Sequence, residues 1–228
     1  MPNWSNNLIA FKGEESNILN MLNDALINSG EEKCESVGDA INSLHGNAKH
    51  KGVENGEVIM EKGLRLRTFL PMPDIFLLYD TTNFPEKYEE MAAEQKEKYG
   101  VVGWYDYNLV TLGCKWDSEL SLDSSFVSNG IATIVFFCET PWSYPENWLL
   151  ALEEKYGVKA FICTKEEGGF YYFYGTLTDP IDVLAKEEGL YKKYIKGVEE
   201  EDYDAYYEDC EELWNETIND FYRYVEEH

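Results

Sequence analysis

Hydrophobic and polar positions follow two periods along this chain, and the places where the period changes mark out its elements. Residues 4–12 (WSNNLIAFK) close on an apolar run that predicts a first strand, ended by Gly13. Over residues 14–28, Ile18, Leu19, Leu22, Ala25 and Leu26 recur at helical spacing, and Gly30 closes that helix. Residues 31–63 are polar and dotted with glycine, which predicts a loop-rich excursion holding one short helix at 37–44. Residues 64–70 (LRLRTFL) alternate as a strand does, and Pro71 and Pro73 stop them. Pro85 opens a helix that runs to Tyr99, with Gly100 as its stop.

The next stretch predicts β-β-β-α-β-β over residues 104–177. Residues 104–116 are rich in aromatics, 119–126 alternate, Ser128-Asn129-Gly130 is a turn signal, and 131–139 read as a buried strand. A helix begins near Pro145 with Trp148, Leu149, Leu152 and Tyr156 on one face, and Gly157 ends it. Residues 158–164 and 169–177 then form a second hairpin. In the last thirty residues Tyr203, Tyr206, Tyr207, Cys210, Leu213, Trp214, Ile218, Phe221, Tyr222 and Val225 make one apolar stripe of a long helix. That stripe is expected to pack on the rest of the molecule and to leave an acidic face outward.

Charge changes this picture more than composition does. The 228 residues are 44% hydrophobic and 15% aromatic, enough for a substantial core. Forty-four acids against nineteen bases give a net charge of −25. Such a field repels phosphate backbones and anionic membranes, so direct binding to nucleic acid or membrane is not expected. It attracts basic protein surfaces. Thirteen of the acids and one base, Arg223, lie within residues 199–228. Glu199, Glu200, Glu201, Asp202, Tyr203, Asp204, Tyr207, Glu208, Asp209, Glu211 and Glu212 are therefore the expected partner-binding residues. Carboxylates pair with guanidinium groups and tyrosine faces stack on them.

Five cysteines, Cys34, Cys114, Cys138, Cys163 and Cys210, are scattered without CxxC or iron–sulfur spacing, so neither a disulfide framework nor a cluster is expected. The N-terminus lacks the basic and apolar regions of a signal peptide, and no apolar run is long enough to span a bilayer. The expected location is a reducing bacterial cytoplasm. His45 and His50 lack further ligands at metal-binding spacing, and no glycine run matches a phosphate cradle, so no metal or cofactor is expected.

Four short segments carry a resemblance: Met1-Pro2-Asn3-Trp4-Ser5-Asn6-Asn7, Leu70-Pro71-Met72-Pro73, Gly113-Cys114-Lys115-Trp116-Asp117 and Thr140-Pro141-Trp142-Ser143-Tyr144-Pro145, with Trp104-Tyr105-Asp106-Tyr107 ahead of the third. In this order they resemble the YubB-like family of plasmid- and phage-borne proteins, over roughly residues 1–177. The family usually has Cys at the position of Ser5, Thr at that of Cys114, and Ala and Pro at those of Pro141 and Tyr144. The resemblance implies a mobile-element origin and a ferredoxin-like C-terminal part, and it implies no reaction.

The expected fold is therefore α+β. It comprises an N-terminal part at 1–99, a ferredoxin-like split βαβ part with an antiparallel sheet at 100–180, and an added acidic helical segment at 181–228. The expected function is that of a non-enzymatic accessory protein that binds a basic host protein, as an acidic nucleic-acid mimic blocking a defence enzyme. Two alternatives stand beside it. One is an enzyme of unknown reaction with Asp106, Lys115, Asp117 and Ser143 at its site, Glu139 being a further carboxylate for a general acid/base pair. The bland reading of these residues is a Lys115–Asp117 pair at a strand end, Trp116 in the core, and Ser143 or Thr140 capping the helix after Pro145, with Trp142 fixing the turn to the core. The other alternative is a structural or assembly protein that self-associates through aromatic surface.

Overall fold

The computed structural model describes residues 3–196 and 201–228. The chain runs as β1 (Trp4–Glu14), α1 (Glu15–Asn28), α2 (Val37–Asn47), β2 (Lys49–Glu54), β3 (Glu57–Lys62), α3 (Leu66–Phe69), α4 (Asp74–Leu78), a 3-10 turn at Pro85–Tyr88, α5 (Glu89–Tyr99) and α6 (Gly103–Leu112). It continues with β4 (Ser121–Ser128), β5 (Ile131–Pro141), α7 (Glu146–Tyr156), β6 (Lys159–Glu166), β7 (Tyr172–Gly175), β8 (Pro180–Asp182), α8 (Leu184–Tyr194) and α9 (Tyr203–Glu227). Among the described residues no helix is long and apolar enough to cross a membrane.

Six strands form one sheet in the order β4-β5-β1-β6-β7-β8, each neighbouring pair antiparallel. β1 lies between β5 and β6, paired from Trp4↔Pro141 to Glu14↔Ile131 on one edge and from Ser5↔Glu166 to Lys12↔Lys159 on the other. Among the described residues β1, from the expected N-terminal part, is an inner strand of the six-stranded sheet whose other strands come from residues 121–182. Leu8, Ile9, Ala10 and Phe11 are all buried, since both faces of the sheet are covered and successive side chains point opposite ways. Ile9 and Phe11 enter a core with Met21, Leu22, Leu26, Ile41, Leu66, Phe69, Phe136 and Trp148. Phe11 and Phe69 meet the Trp148 ring edge-on at 5.4 and 5.7 Å, and Phe69 also meets Phe136 at 5.8 Å. Leu8 and Ala10 face the opposite way, onto Phe221 and Val225 of α9.

The long terminal helix thus packs on the sheet. Cys210, Leu213, Thr217, Phe221 and Val225 are its buried positions, three and four residues apart. Asp202 caps its first turn by accepting from the Ala205 amide at 3.0 Å. The Tyr172 hydroxyl donates to Thr217 at 2.9 Å, and the Lys12 ammonium donates to the Val225 carbonyl at 2.7 Å near the helix's last turn.

Three sequence expectations change. Residues 64–70 do not form a strand: Leu66–Phe69 is one helical turn in which Leu66 and Phe69 both reach the core, a pattern that four alternating residues mimic. The Thr68 hydroxyl holds that turn by accepting from the Arg65 amide at 3.0 Å, and Trp148 Nε1 donates to the Leu66 carbonyl at 3.1 Å. Residues 103–112 are helical although their aromatics favour strands. Gly113 ends that helix at φ +83°, where a Cβ would stand 2.9 Å from the amides of Glu146 and Asn147, so α7 starts hard against the end of α6. Residues 49–62, expected as loop, form the hairpin β2–β3 about Asn55-Gly56, with φ of 52° and 83°.

The packing of α9 gives a direct expectation for stability. Phe221→Ala should lower the unfolding free energy by about 3–5 kcal/mol, because Phe221 is fully buried between helix and sheet. Urea denaturation followed by tryptophan fluorescence measures it. A loss under 1 kcal/mol would mean the helix is not docked there.

Candidate functional site

The four residues expected to carry chemistry are not gathered in one place. Asp106 is exposed on α6. Lys115 lies in the irregular segment after α6, with Nζ 4.8 Å from the Trp116 ring and 5.8 Å from the Tyr105 ring, and it makes no ion pair with Asp117 among the described residues. No strand exists at 115–117, so the expected Lys115–Asp117 pair has nothing to hold it. The Ser143 hydroxyl donates to the Gly113 carbonyl and the Thr140 hydroxyl to the Ser143 carbonyl, each at 2.7 Å; neither caps α7. Trp142 does not reach the core. It is 53% exposed at φ +70°, a backbone conformation that a bulky residue rarely holds. Trp116 is likewise 36% exposed.

Asp117 alone of the four lines a cleft of about 510 Å³, which sits where hairpin β2–β3 faces α3, α4 and α6. Pro71, Met72, Trp104 and Trp116, from three of the segments singled out in the sequence, share this cleft with it. Its remaining wall includes Lys49, His50 and Lys51 of β2, Arg67 of α3 and Asn108 of α6. Trp116 and Asp117 also line a second cleft of about 380 Å³ with Arg65 and Glu139, so these two residues divide one cleft from the other.

Arg67 was not anticipated as a site residue. Read as part of a strand it would point to solvent, whereas the helical turn buries it to 5% exposure. Its guanidinium donates to the Leu70 carbonyl at 3.1 Å, to Thr111 Oγ1 at 2.8 Å and to Asn108 Oδ1, and its Cζ lies 5.0 Å from the centre of the Tyr107 ring. All of these partners are neutral. Nε is buried without a partner. Burial brings the guanidinium pKa down to about 10 against the pull of Asp117, Tyr107 and Cys114. Asp117 gives Oδ1 to the Arg67 amide at 3.0 Å, and burial holds its carboxyl above the usual range despite the nearby arginines and His50.

The other titratable groups of the cleft have partners. Lys49 pairs with Glu31 at 3.1 Å and Lys51 with Asp74 at 2.5 Å. His50 Nε2 lies 3.4 Å from Glu61, and Asp80 accepts from Trp104 Nε1 at 3.2 Å. Among the described residues no three of His, Cys, Asp and Glu converge as metal ligands would. Ser5 is fully buried on β1 with its hydroxyl against the Tyr171 hydroxyl.

The second candidate surface is the outer side of α9. Glu199 and Glu200 lie outside the described residues. Glu201, Asp202, Tyr203, Asp204, Tyr207, Glu208, Glu211 and Glu212 are all exposed. Asp204, Glu208 and Glu212 recur at four-residue steps, flanked by Glu211 and Glu216, opposite the buried stripe. Among the described residues no lysine, arginine or histidine lies within 4.0 Å of these five carboxylates. Asp209 departs from expectation. It accepts from Tyr194 at 2.6 Å and pairs with Lys193 at 3.1 Å, which draws its carboxyl below the usual range and ties α8 to α9.

No family model, no curated protein and no solved structure matches this chain.

Two measurements check the cleft and the thiols. Asn108→Ala removes an acceptor of Arg67 and the donor to the Lys115 carbonyl, and it should cost about 2–3 kcal/mol in urea denaturation; a neutral substitution would show that the guanidinium is otherwise satisfied. The thiols of Cys138 and Cys163 are pushed up strongly by burial, and that of Cys114 to about 12. Native protein treated with iodoacetamide at pH 8 should be alkylated at the half-buried Cys34 well before those three, read by peptide mass spectrometry. Rapid modification of Cys114 would contradict its burial.

Proposed function

We propose that this protein is a non-enzymatic binding protein that presents the outer face of α9 to a basic protein. The carrying observation is the row of Asp204, Glu208, Glu211, Glu212 and Glu216 standing outward with no cation within ion-pair distance among the described residues, while the other side of the helix is consumed by the sheet. The last thirty residues hold −12 of the net −25, so the excess charge is concentrated there rather than spread evenly. Exposed Tyr203 and Tyr207 at the start of the helix add stacking faces for arginine.

Charge density narrows the kind of mimicry. From Asp204 to Glu216 the helix rises about 18 Å, so five carboxylates give one charge per roughly 4 Å. A duplex carries one per about 1.7 Å, and a single strand one per about 3.4 Å. The face therefore suits a groove built for one phosphate strand. The partner class is a nucleic-acid-handling protein of a bacterial host, and the protein is a phage- or plasmid-borne accessory acting on it. The resemblance to YubB-like proteins supports that origin. A ferredoxin-like reading of the sheet accompanies it, supported by the chain order β1-α1-β4-β5-α7-β6 with sheet order β4-β5-β1-β6.

The test compares the wild type with the triple variant E208Q/E211Q/E212Q. Wild-type protein should capture a basic protein from bacterial lysate in 50 mM salt and release it in 300 mM salt. Affinity of the purified pair should fall on the order of tenfold or more in the variant, mostly through slower association. Capture of the same protein by both, or of no basic protein by either, would overturn the proposal.

A further inference from the structure

The larger cleft, on the side of the sheet away from α9, carries an excess of negative charge. Lys49, His50 and Lys51 on its wall face Glu31, Glu61 and Asp74 and add nothing uncompensated. Three lining charges remain, Arg67, Asp80 and Asp117, and among the described residues none of them has an ion pair within 4.0 Å. One guanidinium against two carboxylates leaves the space short of a cation. Asp80 is solvated by neutral donors: it accepts from Trp104 Nε1 at 3.2 Å and from the Asn83 amide and side chain at 3.1 and 2.8 Å. Asp117 is not so well served. Its Oδ1 takes the Arg67 amide at 3.0 Å, whereas Oδ2 has no hydrogen-bond partner among the described residues and is not sealed from solvent. Burial holds this carboxyl above its ordinary range, so a cation brought beside it stabilises the ionised form.

The hydrogen-bonding groups of the cleft point the same way. Its side-chain N–H donors are engaged: Trp104 Nε1 on Asp80, Asn28 Nδ2 on the Thr68 carbonyl at 3.0 Å, and Asn108 Nδ2 on the Lys115 carbonyl at 2.9 Å. The partnerless Nε of Arg67 is buried and reaches no guest. The oxygens left open are Asp117 Oδ2 and Asn28 Oδ1, both acceptors. A guest must therefore bring the N–H groups. The walls are Val53, Met72, Phe76 and Leu77 with the indoles of Trp104 and Trp116, surfaces suited to a flat apolar body, and indole faces favour a cation. A volume of about 510 Å³ is that of a small-molecule site.

We infer that this cleft binds a planar aromatic monocation of the amidinium class, with its N–H groups on the Asp117 carboxylate and its ring against the indoles of Trp104 and Trp116. Asp117 is the binding residue and the aromatic walls select a flat guest. The site is independent of the acidic face. It lies in the helical layer against which Ile9 and Phe11 pack, whereas α9 covers Leu8 and Ala10 on the opposite face of the sheet. It is also distinct from the second cleft, which shares Trp116 and Asp117 but has Glu139 rather than Val53 and Trp104 on its wall.

The experiment is titration calorimetry of the full chain at physiological salt with 2-naphthamidine, its neutral analogue 2-naphthamide, and 2-naphthoate as the anion of the same shape. The amidine should bind at one site per chain, at least tenfold more tightly than the amide, since a hydrogen bond to a charged group is worth roughly tenfold to a hundredfold. Naphthoate should bind most weakly. Asp117→Asn keeps an oxygen for the Arg67 amide and should reduce the amidine to the affinity of the amide. Should that variant fail to fold, Val53→Trp decides the matter: Val53 is 40% exposed, and the larger ring should fill the cleft and abolish binding without lowering the unfolding midpoint. Glu139→Gln in the second cleft should change amidine affinity less than threefold, and E208Q/E211Q/E212Q on α9 not at all. Equal binding of amidine and amide, tighter binding of naphthoate, no binding of any probe, amidine binding unchanged in folded D117N or V53W, or binding lost in E139Q or in the α9 variant would each overturn the inference.

Discussion

The double-sided burial of β1 is the constraint on which everything else in this molecule rests. A strand paired along both edges and covered on both faces must present apolar side chains in both directions, and Leu8-Ile9-Ala10-Phe11 does so. One set of these side chains requires the layer that contains α1, α2, α3 and α7, and the other requires α9. Without the last helix, Leu8, Ala10, Val135, Phe161 and Cys163 would face water. An acidic helix is thus part of the core on one side and a charged surface on the other. Its amphipathic spacing lets a segment of such high charge dock on an apolar sheet.

The two layers carry opposite kinds of electrostatic problem. On α9 the carboxylates are solvated, and their mutual repulsion is moderated by water and salt, so they cost the fold little. In the helical layer a single guanidinium is enclosed. Arg67 takes its place because one turn of helix, held by Thr68 and by Trp148 on the Leu66 carbonyl, carries Leu66 and Phe69 into the core and draws the residue between them inward. Asn108 and Thr111, three residues apart on α6, then face it as acceptors. The strand-like sequence of α6 becomes helical in a setting where helical spacing satisfies a buried charge and a strand would separate the two acceptors.

The same logic explains why polar and charged side chains mislead as site markers here. Lys115 lies over Trp116 and Tyr105, Ser143 serves the Gly113 carbonyl, and Asp209 is spent on joining α8 to α9. Each is a plausible chemical group in isolation and a local structural contact in the fold. Arg67, which no motif announces, is the buried charge of this layer, facing Asp117 and keeping its Nε without a hydrogen-bond partner among the described residues.

Much of the architecture was legible in the chain itself. The turn at Asn129-Gly130, the helices ending at Gly100 and Gly157, the hairpin of β6 and β7, and the stripe of α9 all rest on local periodicity and on glycine's access to positive φ. The concentration of acid in the last thirty residues was legible in the same way, since charge is a property of composition. Asn55-Gly56 also marked a hairpin, but its flanking residues Lys49-His50-Lys51 carry no apolar alternation, so the surrounding polarity hid the strands. Tertiary structure alone decided the rest: that the first strand sits inside the sheet, that LRLRTFL coils rather than extends, and that Asp117 and Arg67 meet across one cleft. Those outcomes depend on contacts between residues far apart in sequence, and a short alternating segment is compatible with either geometry until the surface it must cover is in place.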